Sequence, residues 1–223
     1  MAQPEDRPEY RRDARNTAEG GPVPISVQRG VPDGAEERVA ELYWESFGRK
    51  LGAALNPPAT GRQFIATHLH RDRAVVALAG DRVVGVAGFQ LEGRGLTGGG
   101  VADVLTTYGL FSGVPRLALL ALLERTPAPR QLVMDGIAVD ADFRGNGIGS
   151  LLLRETFRVA ADHRCDEVRL DVIDVNARAR ALYERHGFTA VRTEQTPYLR
   201  RLMGFGAVTT MHRSIAPPAG ERP

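Results

Sequence analysis

The chain has 223 residues and a formal net charge of +2, enough length for one core of ordinary size and too little charge to argue for nucleic acid or an anionic membrane surface. Its single cysteine, Cys165, excludes an internal disulfide. With no charged-then-apolar segment at the start, the expectation is a reduced, cytoplasmic protein.

Residues 1–22 are rich in Arg, Glu, Asp and Pro and hold hardly any aliphatic side chain, the composition of a disordered tail, and residues 216–223 read the same way. One folded domain is therefore expected over 23–215, with no internal repeat or heptad. Ile25-Ser26-Val27-Gln28 reads as a short strand. Asp33 is placed to cap a helix over 36–44, whose apolar side chains recur at helical spacing, and a second helix follows Asn56-Pro57-Pro58. Two apolar strands, 75–79 and 82–89, flank Gly80-Asp81 and form a hairpin. Residues 91–129 are an insertion, in which Gly93, Gly95 and Gly98-Gly99-Gly100 read as a mobile link and 117–123 as a helix with little polar face. That helix is expected to be an ordinary core helix, with a substrate lid or a dimer surface as rival readings. Its apolar run is far short of the ~20 residues a bilayer requires.

The next segment is the most informative. Ile137-Ala138-Val139 ends an apolar strand, Arg144-Gly145-Asn146-Gly147-Ile148-Gly149 follows with glycines at alternate positions, and Ser150-Leu151-Leu152-Leu153 opens a helix. Bare backbone N–H groups at a helix N-terminus suit a phosphate or pyrophosphate held by main chain. A Walker loop is excluded because Gly149-Ser150 lacks the lysine, and Lys50 is the only lysine in the chain. The glycine spacing excludes a dinucleotide fingerprint, although Asp166, Asp171 and Asp174 stand at the distance of a ribose-binding acid. Taken alone, the loop reads equally as a flexible turn before a helix.

A second motif changes that balance. Leu170-Asp171-Val172-Ile173-Asp174-Val175 alternates as a strand, Asn176 is a good N-cap, Ala177 to His186 fill a helix, and Gly187 stands where a left-handed C-terminal residue belongs. The paired motifs, Arg-Gly-x-Gly-x-Gly after one strand and Asn-x-x-Ala-x-x-Leu-Tyr-x-x-x-Gly-Phe after the next, resemble those of the GNAT superfamily of acyl-CoA-dependent N-acyltransferases. Within it the chain looks most like the ribosomal-protein N-terminal alanine acetyltransferases, which share the Ile-Ala-Val-Asp strand end. The similarity is strong over 135–188 and rests on pattern elsewhere. With late strands around Val191 and Thr209, the element order is β-α-α-β-β, helical insertion, β-α-β-α-β-β. This is a mixed central sheet flanked by helices, an α/β architecture that some schemes class as α+β.

The resemblance implies an acetyl-CoA-dependent N-acetyltransferase that works by direct attack of a primary amine in a ternary complex, without a metal. It assigns the backbone of Ile137, Ala138 and Val139 to the pantetheine arm and the thioester carbonyl. It assigns Arg144, Gly145, Asn146, Gly147, Ile148, Gly149 and Ser150 to the pyrophosphate, with Asp142 standing where many relatives carry Gln or Arg. Asn176 would contact pantetheine amides or serve as a plain N-cap. Tyr183, seven residues further along the same helical face, would be the general acid toward sulfur or a packed core tyrosine. For the general base, Asp171 stands where the alanine acetyltransferases carry a glutamate and Asp135 is its rival; either acts through water or serves only in binding. The five histidines form no metal motif. The acceptor, expected to be a small or peptide amine, meets the first helices, the insertion and the loop holding Tyr198, Leu199 and Arg200. A homodimer stays open, as does a non-catalytic acyl-CoA-binding or regulatory module on the same fold.

Overall fold

The computed structural model describes residues 23–123, 127–196, 200 and 204–215; the two expected tails, Tyr198 and Leu199 lie outside the described residues. Among those residues one sheet holds β1 (Ile25–Arg29), β2 (Ala74–Ala79), β3 (Arg82–Gln90), β4 (Gln131–Val139), β5 (Glu167–Ile173), β6 (Thr189–Gln195) and β7 (Ala207–Ser214). Their order is β1-β2-β3-β4-β5-β7-β6. Every neighbouring pair is antiparallel except β4 and β5, which run parallel. The helices are α1 (Glu36–Leu55), α2 (Pro58–Thr67), α3 (Val101–Tyr108), α4 (Leu110–Leu123), α5 (Ile148–Asp162) and α6 (Ala177–Arg185). This is the expected order of elements, from the hairpin of β2 and β3 to the late pair β6 and β7.

The strand pattern sorts side chains to two faces. Leu132 and Met134 of β4 and Val168, Leu170 and Val172 of β5 pack with Leu152, Leu153, Val159 and Ala160 of α5, and Tyr183 of α6 joins the same core. On the opposite face Val39, Leu42 and Tyr43 of α1 and Phe64 and Ile65 of α2 cover Val76, Val83, Val86 and Ala138. Helix α5 buries Leu152, Leu153, Val159 and Ala160 on one face, and crossing the sheet at β1 to β5 fixes where its N-terminus points. Arg29 of β1 reinforces that placement by pairing with Glu155 and Asp162 of α5, each at 2.7 Å.

Two local expectations fail. Asp33 does not cap α1: the N-cap is Ala35 with no side-chain hydrogen bond, and Asp33 pairs instead with Arg71. Glu36 and Glu37 in the first turn supply the charge that the helix dipole favours. The glycine-rich link is also no loose connector. Leu96 within it is fully buried, the Leu96 carbonyl accepts from the His70 N–H (2.8 Å), and the Gly98 N–H donates to the His68 carbonyl (2.8 Å). A Cβ on Gly98 would lie 2.1 Å from the His70 ring and one on Gly99 2.2 Å from the Phe64 ring, so glycine stands there because two rings rest on the backbone.

The insertion helix is buried on one side only. Leu117, Leu119 and Leu120 of α4 pack against the second core, while Phe111 is 97% exposed. Arg116, its one charge, stacks over the Tyr108 ring at 4.6 Å and donates to the Asn56 carbonyl (3.0 Å).

Candidate active site

The site begins with a fork in the sheet. Strands β4 and β5 pair over only three rungs, Gln131 with Glu167, Leu132 with Val168 and Val133 with Arg169. Beyond Val133, β4 continues to Val139 bonded to β3, and β5 continues to Ile173 bonded to β7. Between the diverging stretches 134–139 and 170–173, two strand edges face an opening with no ladder across it, which is where an extended amide-bearing chain can add as a strand.

A bulge sharpens the fork. The β3–β4 register jumps from Gly88 opposite Gly136 to Phe89 opposite Met134, leaving Asp135 as the extra residue. Its carboxylate accepts from the Leu96 N–H at 3.2 Å, so the insertion reaches the site through this contact. Gly136 follows with φ +152°, and the Phe47 ring of α1 occupies its open side, 2.3 Å from where a Cβ would stand. Asp171 lies on β5 two residues past the Arg169 rung, as Asp135 lies two past Val133 on β4. Asp135 bonds the backbone of Leu96, a residue of the second core, and Asp171 alternates with Leu170 and Val172, which face the first core; both carboxylates thus lie on the α1 side of the sheet at the fork. Asp171, with its side chain 7% exposed, stands 3.8 Å from the Arg169 guanidinium.

The glycine loop leaves the end of β4. Asp140 is buried and gathers three donors: Nη2 of Arg38 from α1, Nη2 of Arg82 from β3 (2.7 Å) and the Asp142 N–H (3.1 Å). After one tight turn at Ala141–Phe143, Arg144 Nε donates back to the Val139 carbonyl at 3.0 Å, which braces the loop. Gly145 and Gly147 take φ of +88° and +75°, left-handed values that only glycine adopts cheaply. Gly147 is the N-cap of α5, and its carbonyl accepts from the Ser150 N–H (2.9 Å) and the Leu151 N–H (3.1 Å). Among the described residues no hydrogen bond takes the N–H groups of residues 145–149, so these donors end a helix dipole with the polarity an anion requires. Ile148 is buried and packs on Gly85, which seats the helix end on the sheet.

Helix α6 adds the remaining groups. Asn176 is its N-cap, its side-chain oxygen accepting from the Ala179 N–H at 3.2 Å, so the capping role is filled and the amide nitrogen is the part left to offer a ligand. Tyr183, two turns on, sits in the first core in edge contact with the Phe188 ring, centroids 5.7 Å apart. Burial pushes its phenol up to about 12. It shares that core with Met134, Leu170 and Val172, which flank the fork. Gly187 closes the helix at φ +81°. Phe47, Arg38, Arg82, Asp140, Leu96 and His186 join or brace this region without having been expected; of these only Asp140 carried a signal, as the last residue of Ile-Ala-Val-Asp.

Among the described residues no group of three His, Cys, Asp or Glu side chains could hold a metal ion, and no helix is long and apolar enough to cross a membrane.

Fold and site together define an acyltransferase architecture, and comparison with known proteins gives it a family. The family model of the GNAT acetyltransferases matches residues 36–188, and the chain belongs to that family. Over 89 residues it is 40% identical to thialysine N-epsilon-acetyltransferase of Bos taurus, which takes in 39% of this chain and 52% of that protein. Over 56 residues it is 43% identical to N-alpha-acetyltransferase 30 of Dictyostelium discoideum, covering 25% of this chain and 30% of that protein. The chain thus spans about half the length, or less, of these curated relatives. The structure of the ribosomal-protein-S18-alanine N-acetyltransferase from Escherichia coli shares the fold with a TM-score of 0.54 at 17% identity, covering 89% of this chain and 98% of that one. Acetyl-CoA is the acyl donor of this family.

Proposed function

We propose that this chain transfers an acetyl group from acetyl-CoA to a primary amine, which attacks directly in a ternary complex. The observation that carries the reading is the unpaired edge of β4 running straight into a loop of five unused backbone donors. The edge at Ile137, Ala138 and Val139 accepts the amide-bearing arm as an added strand, and one of its N–H groups polarises the acyl carbonyl. Residues 144–150 hold the linked phosphates, and Asn176 donates to an amide of the arm. Acetyl-CoA supplies an activated acyl group with a thiolate as leaving group. Tyr183 gives its proton toward sulfur, while Asp135 or Asp171 takes the proton released by the amine.

The acceptor, we infer, is the amine of a small amino-acid-like molecule or of a peptide. The relatives named above act, by their names, at an ε-amine, an α-amine and the alanine of a ribosomal protein. The shared Ile-Ala-Val-Asp strand end favours an N-terminal amine among these.

Calorimetry tests the cofactor site first. The wild type is expected to bind acetyl-CoA, and Gly147→Trp, which forces a bulky L-residue into a left-handed N-cap, is expected to raise Kd at least tenfold. A wild type that binds no acetyl-CoA overturns the reading; one that binds but acetylates no peptide or polyamine in a panel is a binding module on this fold. Asp135→Asn and Asp171→Asn then identify the base. The variant that loses it is expected to lose the acidic limb of its kcat/KM profile, whereas the other keeps that limb with KM changed.

A further inference from the structure

A polar contact outside the expected site joins the two motif helices. His186, at the C-cap of α6, places Nε2 2.8 Å from Oγ of Ser150 in the first turn of α5, across 36 residues of sequence. The Ser150 N–H is already spent on the Gly147 carbonyl, so what Ser150 can offer an anion at this helix end is its hydroxyl proton. Where that proton points is decided by the ring opposite.

We propose that His186 is a positioning residue for the phosphates of the acyl donor: its Nε2–H donates to Ser150 Oγ and thereby turns the Ser150 O–H toward the glycine loop. The proposal rests on the placement of the pyrophosphate in that loop. A serine oxygen can accept one hydrogen bond while donating its own proton onward, and a neutral imidazole carries its single N–H on one nitrogen or the other. In the tautomer with the proton on Nδ1, Ser150 would donate to the ring and present lone pairs to the phosphate, which is repulsive. The anion therefore selects the Nε2–H form.

The surroundings keep the ring neutral. Burial, together with the guanidiniums of Arg154 on α5, Arg213 on β7 and Arg185 on α6, holds His186 below its ordinary range. Gly149, whose Cβ would stand 3.0 Å from Leu182, shows that the two helix ends are in contact, so the His186–Ser150 bond is held by packing.

Steady-state kinetics with two acyl donors test this. With acetyl-CoA, His186→Ala is expected to raise KM about tenfold at nearly unchanged kcat, the scale of one hydrogen bond to a charged group. His186→Gln, whose amide N–H reaches the position of Nε2–H, is expected to recover most of the loss. With S-acetylpantetheine, which carries no phosphate, wild type and His186→Ala should have equal kcat/KM. A wild-type KM for acetyl-CoA in His186→Ala, with the wild type binding acetyl-CoA and Gly147→Trp binding it at least tenfold more weakly, overturns this proposal alone. An equal loss with S-acetylpantetheine overturns it in favour of a helix staple. A wild type that fails to bind acetyl-CoA overturns both this proposal and the site it rests on.

Discussion

Asp140→Ala is expected to lower the free energy of unfolding by about 3 kcal/mol and to weaken acetyl-CoA binding in the molecules that remain folded. The carboxylate is 8% exposed and receives guanidinium nitrogens from Arg38 and Arg82 together with the Asp142 N–H. Removing Asp140 leaves the partly buried Arg38, 25% exposed, without its buried counter-charge, whereas Arg82, 57% exposed, regains water. Arg38 keeps two other partners, Glu41 at 3.0 Å and the Val83 carbonyl at 3.3 Å, which limits the loss below the upper end for such clusters. The effect on binding follows from the third donor: without Asp140 Oδ1 the Asp142 N–H loses its acceptor, and the tight turn that aims Gly145 and Gly147 loses its anchor. Asp140→Asn retains an acceptor for Asp142 while losing the charge, so its stability should fall between wild type and alanine. Urea unfolding and calorimetry on the same preparations measure both effects. An unchanged urea midpoint for the alanine variant would show that the cluster is too well hydrated to matter.

Local signals made the element order legible. Asn176 before an alanine-rich run and Gly187 after it marked α6 because capping and left-handed termination depend only on neighbouring residues. The glycines at 145 and 147 marked the loop for the same reason. What stayed hidden depends on contacts distant in sequence. Arg38 and Arg82 lie 102 and 58 residues from Asp140, and nothing in their immediate neighbourhoods distinguishes them from surface arginines. The fork is likewise invisible beforehand, since strand register is set by the whole sheet, and Asp135-Gly136 inside an apolar run marks an irregularity in β4 without saying which neighbour it parts from. Gly98 and Gly99 misled because a glycine needed for close approach and a glycine in a flexible link look alike until the ring above it is seen. Asp33 misled because a capping residue is also a good partner for a nearby guanidinium, and Arg71 claimed it.

Tyr183→Phe is expected to lower kcat about a hundredfold or more while changing acetyl-CoA affinity less than twofold. Phenylalanine keeps the ring contact with Phe188 and the volume of the core, so only the proton donor is lost. Burial raises the phenol to about 12, which keeps it protonated at every practical assay pH. A thiolate departing next to this hydroxyl would be penalised by the same burial. The gap between them therefore stays near the difference of their ordinary values, about 1.5 units or roughly 2 kcal/mol, and the phenol can quench sulfur as charge develops. It follows that Tyr183 produces no alkaline limb in kcat below about pH 11. The shift has a stability signature with the opposite dependence from that of a paired carboxylate. An exposed tyrosine ionises near 10 and this one near 12, so between those values the unfolded chain binds fewer protons than the folded one. Its contribution is intact below pH 10 and falls by on the order of 2 to 3 kcal/mol as pH rises to 12. Urea midpoints at pH 9 and pH 11.5 should therefore differ more for wild type than for Tyr183→Phe. Loss of affinity with unchanged kcat would contradict the acid role, and equal pH slopes for the two proteins would show that the phenol is hydrated.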